Sequence, residues 1–253
     1  MNIRDDEILE AKRDLAAAFR WANRLDLNEG IVNHFSLMLP GSNQQFLINP
    51  YGYHWSELQA SHLIVVDGIS DEAEFGQSFD FDKAAYYIHW SIHKMRADAK
   101  CVLHTHMPYA TALCLIPNGR VEMAFQNALR FHGKIAYHDE YEGLSVDAAQ
   151  GKRLAASLGE DKRIIFHKHH GIVVIGRTVA EAFEDLYYLE RTCQLQWIAK
   201  VYGGTLDPLP EKKAEGIAHQ FDKHQHDATE TYAAKYFQAI RQVLDREEPD
   251  YAS

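Results

Sequence analysis

The sequence is short of cysteine, of basic charge and of long apolar runs, and each shortage excludes something. Three cysteines (Cys101, Cys114 and Cys193) are too few, and odd in number, for a disulfide framework. Each lies in an apolar stretch, so buried free thiols in a reducing compartment are expected. Acidic residues outnumber basic ones by 36 to 26, a net charge of -10. Nucleic acid is therefore not an expected partner, because binding it needs a basic footprint. No apolar run approaches the roughly 20 residues of a bilayer span. The opening MNIRDDEILEAKRD also lacks the apolar segment of a secretory signal. The expectation is a cytoplasmic protein with no membrane partner. No repeat and no low-complexity tract interrupts the chain.

What is present is an ordinary globular composition over 253 residues, 46% hydrophobic and 25% charged, enough to bury a substantial core. Helical spacing of Ile8, Leu15 and Phe19 predicts a first helix. NHFSLMLP and QFLINP read as a hairpin through the turn GSNQ, and HLIVVDG as a third strand. Asp82 can cap a helix to about Arg96, with Ala85, Ile88, Ile92 and Met95 on its apolar side. Cys101 to His106 is a strand, PYATALCLI a helix, GKIAYHDEY a strand, and VDAAQGKRLAASLG a helix closed by Gly159. RIIFHKHHGIVVIG gives two strands meeting at His170-Gly171. Thr178 and Glu181 form a capping box opening a helix that runs to Gly203-Gly204. TLDPLPEKKAEG reads as a linker before a last helix, TYAAKYFQAIRQVLD. Intermixed strands and helices, with hairpins, predict a helix-covered mixed or antiparallel sheet.

Histidine is the abundant polar residue, at 15 copies. His219, His224 and His226 sit in a polar stretch and read as solvated. In CVLHTH, residues two apart on a strand share a face, so His104 and His106 project together, about 7 Å apart at the backbone. Two imidazoles at that distance can converge on one ion, and catalytic sites commonly use three protein ligands and an open position. An isolated His-x-His is equally a hydrogen-bonded pair, so a third ligand is needed. FHKHHG offers His167, His169 and His170, and spacing alone does not choose between His169 and His170.

RADAKCVLHTH, FHGKIAYHDEYEG and HHGIVVIGRTVAEAFEDLYYLERTCQLQ resemble the class II aldolase/adducin family. EGIVNHFSLMLPGSNQQFLINPYGYHWSELQASHLIVVDG resembles that family's opening hairpin and loop, and the likeness spans residues 8 to 215. It implies an α/β fold with a mixed, largely antiparallel central sheet flanked by helices in three layers. It implies a domain over residues 1–215, with 216–253 a helical tail packing on that domain or on a neighbouring subunit. Homotetramers with active sites between subunits are usual in the family; Trp55 and Trp90, read as exposed, fit that expectation. The implied ligands of one divalent ion (Zn, Mn, Fe or Co) are His104, His106 and His170. His169 stands where the family more often has Asn and is the candidate for proton transfer. Asn33 and the turn Pro50-Tyr51-Gly52 match positions of the family's anion pocket. Gln126, in Phe125-Gln126, falls near the family's catalytic Tyr, which this chain lacks, and with Asn33, Tyr51 and Gly52 is a candidate substrate-binding residue.

Further departures set the expected function. The sugar-phosphate aldolases carry Ser-Ser-Glu where this chain has Lys83-Ala84-Ala85. Two phosphate-binding hydroxyls and a carboxylate that binds metal and moves protons are therefore replaced. Asp80 or Asp82 could supply a carboxylate, but helix capping explains Asp82. The expected activity is a metal-dependent aldolase or decarboxylase acting on a small unphosphorylated hydroxy- or keto-carboxylate. Alternatives are a non-haem iron oxygenase acting on an aromatic hydroxy or keto acid, and an adducin-like interaction module. LDREEPDYAS, short and acidic where adducins carry a Lys-rich tail, speaks against the last.

Overall fold

The computed structural model describes residues 3–68, 81–143, 147–226 and 231–253. Seven strands form one sheet: β1 (His34–Met38), β2 (Gln45–Ile48), β3 (Ile64–Asp67), β4 (Cys101–Thr105), β5 (Ile135–His138), β6 (Ile164–His167) and β7 (Gly171–Gly176). Their order is β3-β2-β1-β4-β7-β6-β5, and every neighbouring pair is antiparallel except β5 and β6. Seven helices are described around it: α1 (Ile3–Arg24), α2 (Lys83–Met95), α3 (Pro108–Leu115), α4 (Ala148–Ser157), α5 (Val179–Val201), α6 (Glu211–His226) and α7 (Tyr232–Glu247). This is the mixed, largely antiparallel sheet flanked by helices that the sequence predicts.

Period-two alternation along β4 sorts its side chains between the two helical layers. Cys101 and Leu103 enter a core built with α1 (Leu15, Phe19), α5 (Phe183, Leu186) and α7 (Phe237, Ile240, Leu244). Val102 faces the other way, into a core with Ile88 and Ile92 of α2 and Leu154 and Ala155 of α4. His104 follows Val102 onto that second face. Register places Ser36 of β1 opposite Val102 and His34 opposite His104, so a polar patch continues the apolar one toward α2. All three cysteines are free and buried, and burial pushes their thiols up, Cys114 to about 12.

Both predicted N-caps form, but Glu181 accepts from the Arg177 amide at 3.1 Å and so does not complete the capping box. Asp82 accepts from the Ala84 amide, and Thr178 accepts from the Glu181 amide at 3.1 Å. Three other expectations fail. Trp55 and Trp90 are buried, at 0% and 7% exposure; Trp55 packs on Phe19 and Phe35, and Trp90 stacks on Phe46. Met95, placed on the apolar side of α2, is exposed, while His89 and His93 take the buried positions. Part of TLDPLPEKKAEG, read as linker, is the first turn and a half of α6. That helix buries Ala214 and Ala218, one turn apart, so its apolar stripe is too small to stand out by hydrophobicity. His219 is exposed, and the side chains of His224 and His226 lie outside the described residues. Among the described residues, no helix is long and apolar enough to cross a membrane.

Candidate metal centre

His104 and His106 leave β4 on one face, and the turn joining β6 to β7 brings His170 against them. The ring centroids lie 5.0 Å (His104–His106), 4.8 Å (His104–His170) and 4.9 Å (His106–His170) apart. One nitrogen from each ring lies within 4.8 Å of the other two. The turn is tight: the His170 amide donates to the His167 carbonyl at 3.1 Å, and His169 carries the strain at φ +57. That choice, left open by spacing, is made by geometry, for His170 joins the pair. His169 is exposed, and its ring meets Tyr141 at 6.2 Å. The structure therefore gives His169 no place in the cluster, because its left-handed backbone sends the side chain outward.

Hydrogen bonds fix which nitrogen each ring presents. A carbonyl can only accept, so His104 Nδ1 carries the proton it donates to the Ile172 carbonyl at 3.0 Å. His106 Nδ1 likewise faces a Glu29 carboxylate oxygen at very short range. His170 Nδ1 pairs with His167 Nδ1 at 3.1 Å. Of these two δ nitrogens one donates and the other accepts. His104 and His106, with Nδ1 so engaged, keep an Nε2 lone pair free, the form in which imidazole binds a metal. His106 Nε2 is buried and has no partner. Such an orphaned acceptor is costly unless something occupies its lone pair, and a divalent cation fits that donor set. Burial drives the His104 and His170 values down, His170 to about 4, and the neighbouring rings add to the effect. These two rings are thus ready to bind without shedding protons at neutral pH.

Two further groups set the cluster's shape. Asn33 is buried, and its Oδ1 accepts from the Glu29 amide at 2.7 Å and the His106 amide at 3.3 Å, tying the Glu29 loop to the strand end. At Gly171 a Cβ would stand 2.6 Å from the His106 ring and 2.7 Å from the Thr105 carbonyl, so a side chain there would push the ligand ring aside.

Asn33, Tyr51, Asp82 and Ala85 line one small cleft together with His34. Tyr51 is exposed at its mouth, and Gly52 turns the chain with φ +97. Asp80 lies outside the described residues. Gln126 is not in this cleft. It borders another, with Asn127, Arg130, Tyr188 and Phe221, because it opens a short helical turn, Gln126–Phe131, on a different part of the chain.

Glu29, His34, Ser36, His89 and His93 were not legible as site residues. A signal was available for four of them. His34 and Ser36 alternate on one strand face, and His89 and His93 are spaced one turn apart on α2.

Residues 13–197 match the family described as Class II Aldolase and Adducin N-terminal domain. The chain belongs to that family. It is similar to an adducin-related protein of Schizosaccharomyces pombe, 31% identical over 97% of this chain and 77% of the relative. A solved aldolase II superfamily protein from Pseudomonas syringae is 31% identical with a TM-score of 0.85, covering 98% of this chain and 96% of that one. The L-fuculose 1-phosphate aldolase from Glaciozyma antarctica has the same fold, with a TM-score of 0.80 at 22% identity over 99% of this chain and 95% of that one. Membership of the class II aldolase/adducin family agrees with a three-histidine group that could hold a divalent metal ion.

Proposed function

We propose that this member of the family is a metal-dependent carbon–carbon lyase, an aldolase or decarboxylase, acting on a small unphosphorylated hydroxy- or keto-carboxylate. The observation that carries the reading is the convergence of three imidazoles whose outer nitrogens are already engaged and whose inner ones are aimed at one another. An interaction module has no use for such an arrangement, whereas a Lewis-acid site depends on it. His104, His106 and His170 would hold the ion. A bound divalent cation would withdraw electron density from a substrate oxygen beside the bond that breaks.

The chain's own groups do the rest. Glu29 keeps the His106 proton on Nδ1, and Asn33 holds both the Glu29 loop and the end of β4 in place. Phosphate recognition needs several positioned donors. At Lys83-Ala84-Ala85 the hydroxyls are absent, and Lys83 is exposed. A carboxylate substrate with an adjacent oxygen makes no demand for those hydroxyls. The same reading takes the protein as a homo-oligomer, a tetramer, and the exposed Trp197, Val201 and Tyr202 near the end of α5 suit a subunit contact.

The test is metal analysis of anaerobically purified protein, followed by turnover of hydroxy and keto acids with and without oxygen. Carbon–carbon cleavage independent of oxygen is expected. Oxygen-dependent turnover, or efficient cleavage of a phosphosugar at a kcat/KM above about 10⁴ M⁻¹s⁻¹, would overturn it.

A further inference from the structure

One short helix joins the segments that carry two of the three clustered histidines. α3 begins at Pro108, with only Met107 between it and His106. Its far end meets the turn that carries His170. The His169 amide donates to the Cys114 carbonyl at 3.2 Å, and Lys168 Nζ donates to the Ile116 carbonyl at 2.9 Å. The Cys114 thiol lies 3.7 Å from the Gly171 carbonyl. Residues on both sides of His170 are therefore fastened to α3 or to the residue that ends it. A shift of this helix moves His106 and His170 relative to each other.

α3 does not hold its own place. It has 8 residues, well short of the roughly 12–15 that an isolated helix needs in water. Met107, at its N-cap position, gives it no side-chain hydrogen bond, and Pro108 has no amide proton. The next two amides are taken by a residue of α5, 80 positions beyond Ala110. Tyr109 N donates to Glu190 Oε1 and Ala110 N to Glu190 Oε2, each at 2.8 Å. The carboxylate is only 8% exposed. Burial pushes its carboxyl up, and the two amides at the positive end of α3 pull the other way. A serine or aspartate at position 107 would cap the helix locally, without burying a carboxylate. Such a cap would leave α3 free to slide on α5. Glu190 fixes it with both oxygens, from a helix whose Leu186, Leu189 and Cys193 are set in the core.

We propose that Glu190 is a positioning residue for the metal centre, clamping α3 so that His106 and His170 stand at the separation one ion requires. This rests on the metal-site reading above. Glu190 acts through α3, not by binding the ion.

Two measurements decide it. Amide hydrogen exchange in the metal-free protein reads the clamp without any ion. Glu190→Gln keeps the size of the side chain but leaves one acceptor where there were two. In that variant the His169 amide should exchange roughly tenfold faster, as its bond to Cys114 loosens. The Ile175 amide, bonded to the Arg163 carbonyl at 2.9 Å, should change much less. Equal acceleration of both amides, or none at His169, overturns the proposal. Competition with a chromophoric chelator then reads the site. Zinc affinity should fall about tenfold in Glu190→Gln and further in Glu190→Ala, and the visible absorption of the cobalt-loaded protein should shift. Val179→Ala, a core truncation at the start of α5, should lower the urea midpoint and leave zinc affinity and the cobalt spectrum unchanged. Wild-type zinc affinity in Glu190→Gln, or an equal loss in Val179→Ala, overturns the proposal. Absence of zinc binding in wild type would count against the metal-site reading instead. The exchange rates, measured without metal, still decide whether Glu190 holds His106 and His170 in register.

Discussion

The Glu29 carboxylate meets His106 Nδ1 across 77 residues of sequence, and the loop that carries it is pinned by Asn33 to the same strand end. A loop glutamate, mostly exposed, therefore sets the tautomer of a buried-facing imidazole.

Glu29→Gln should weaken zinc binding about 10- to 100-fold, the usual consequence of losing a carboxylate behind a ligand histidine. Because the side chain is exposed, the melting temperature of the metal-free protein should barely move. Competition with a chromophoric chelator measures the first, and a thermal scan the second. Unchanged zinc affinity would mean that the contact is incidental.

Gly171→Ala should cost both metal affinity and stability. The new methyl would sit 2.6 Å from the His106 ring and 2.7 Å from a backbone carbonyl, which cannot yield. Overpacking of this kind costs about 1–3 kcal/mol. Denaturant unfolding would record the loss, and a variant as stable and as zinc-avid as wild type would refute the account of this position.

Stability of the metal-free protein should fall as the medium is acidified. His93 is held at about 4 by burial, against an ordinary value of about 6.5. Between those values the unfolded chain takes up a proton that the native ring refuses. The contribution is intact above about pH 6.5 and drains as pH falls toward 4, by about 1.4 kcal/mol per pH unit for this group. His89 is depressed by burial in the same direction. Urea midpoints at pH 7, 6 and 5 should decline, and a flat profile would contradict neutral buried histidines.

How much of this was legible depends on how local the signal is. His104 and His106 announce themselves because strand periodicity operates within three residues. The caps at Asp82 and Thr178 are equally local, and both form. The set of hydrogen bonds joining His34, Ser36, His89 and His93 is assembled from β1 and α2, about 50 residues apart, and exists only once the sheet register and the seating of α2 are set. Each histidine, read alone, is an ordinary core residue. Trp55 was misjudged for the same reason: its sequence neighbours are polar, while Phe19 and Phe35, which cover it, are distant. Gln126, placed by its counterpart tyrosine, lies on a turn that borders another cleft of the chain.

The direct test of the central claim is zinc stoichiometry by metal titration of wild type and of His104→Ala, His106→Ala and His170→Ala, with His219→Ala as the exposed control. One ion per chain is expected in wild type and in His219→Ala, and each of the other three should lose tight binding. Full zinc occupancy in His170→Ala would contradict the site described.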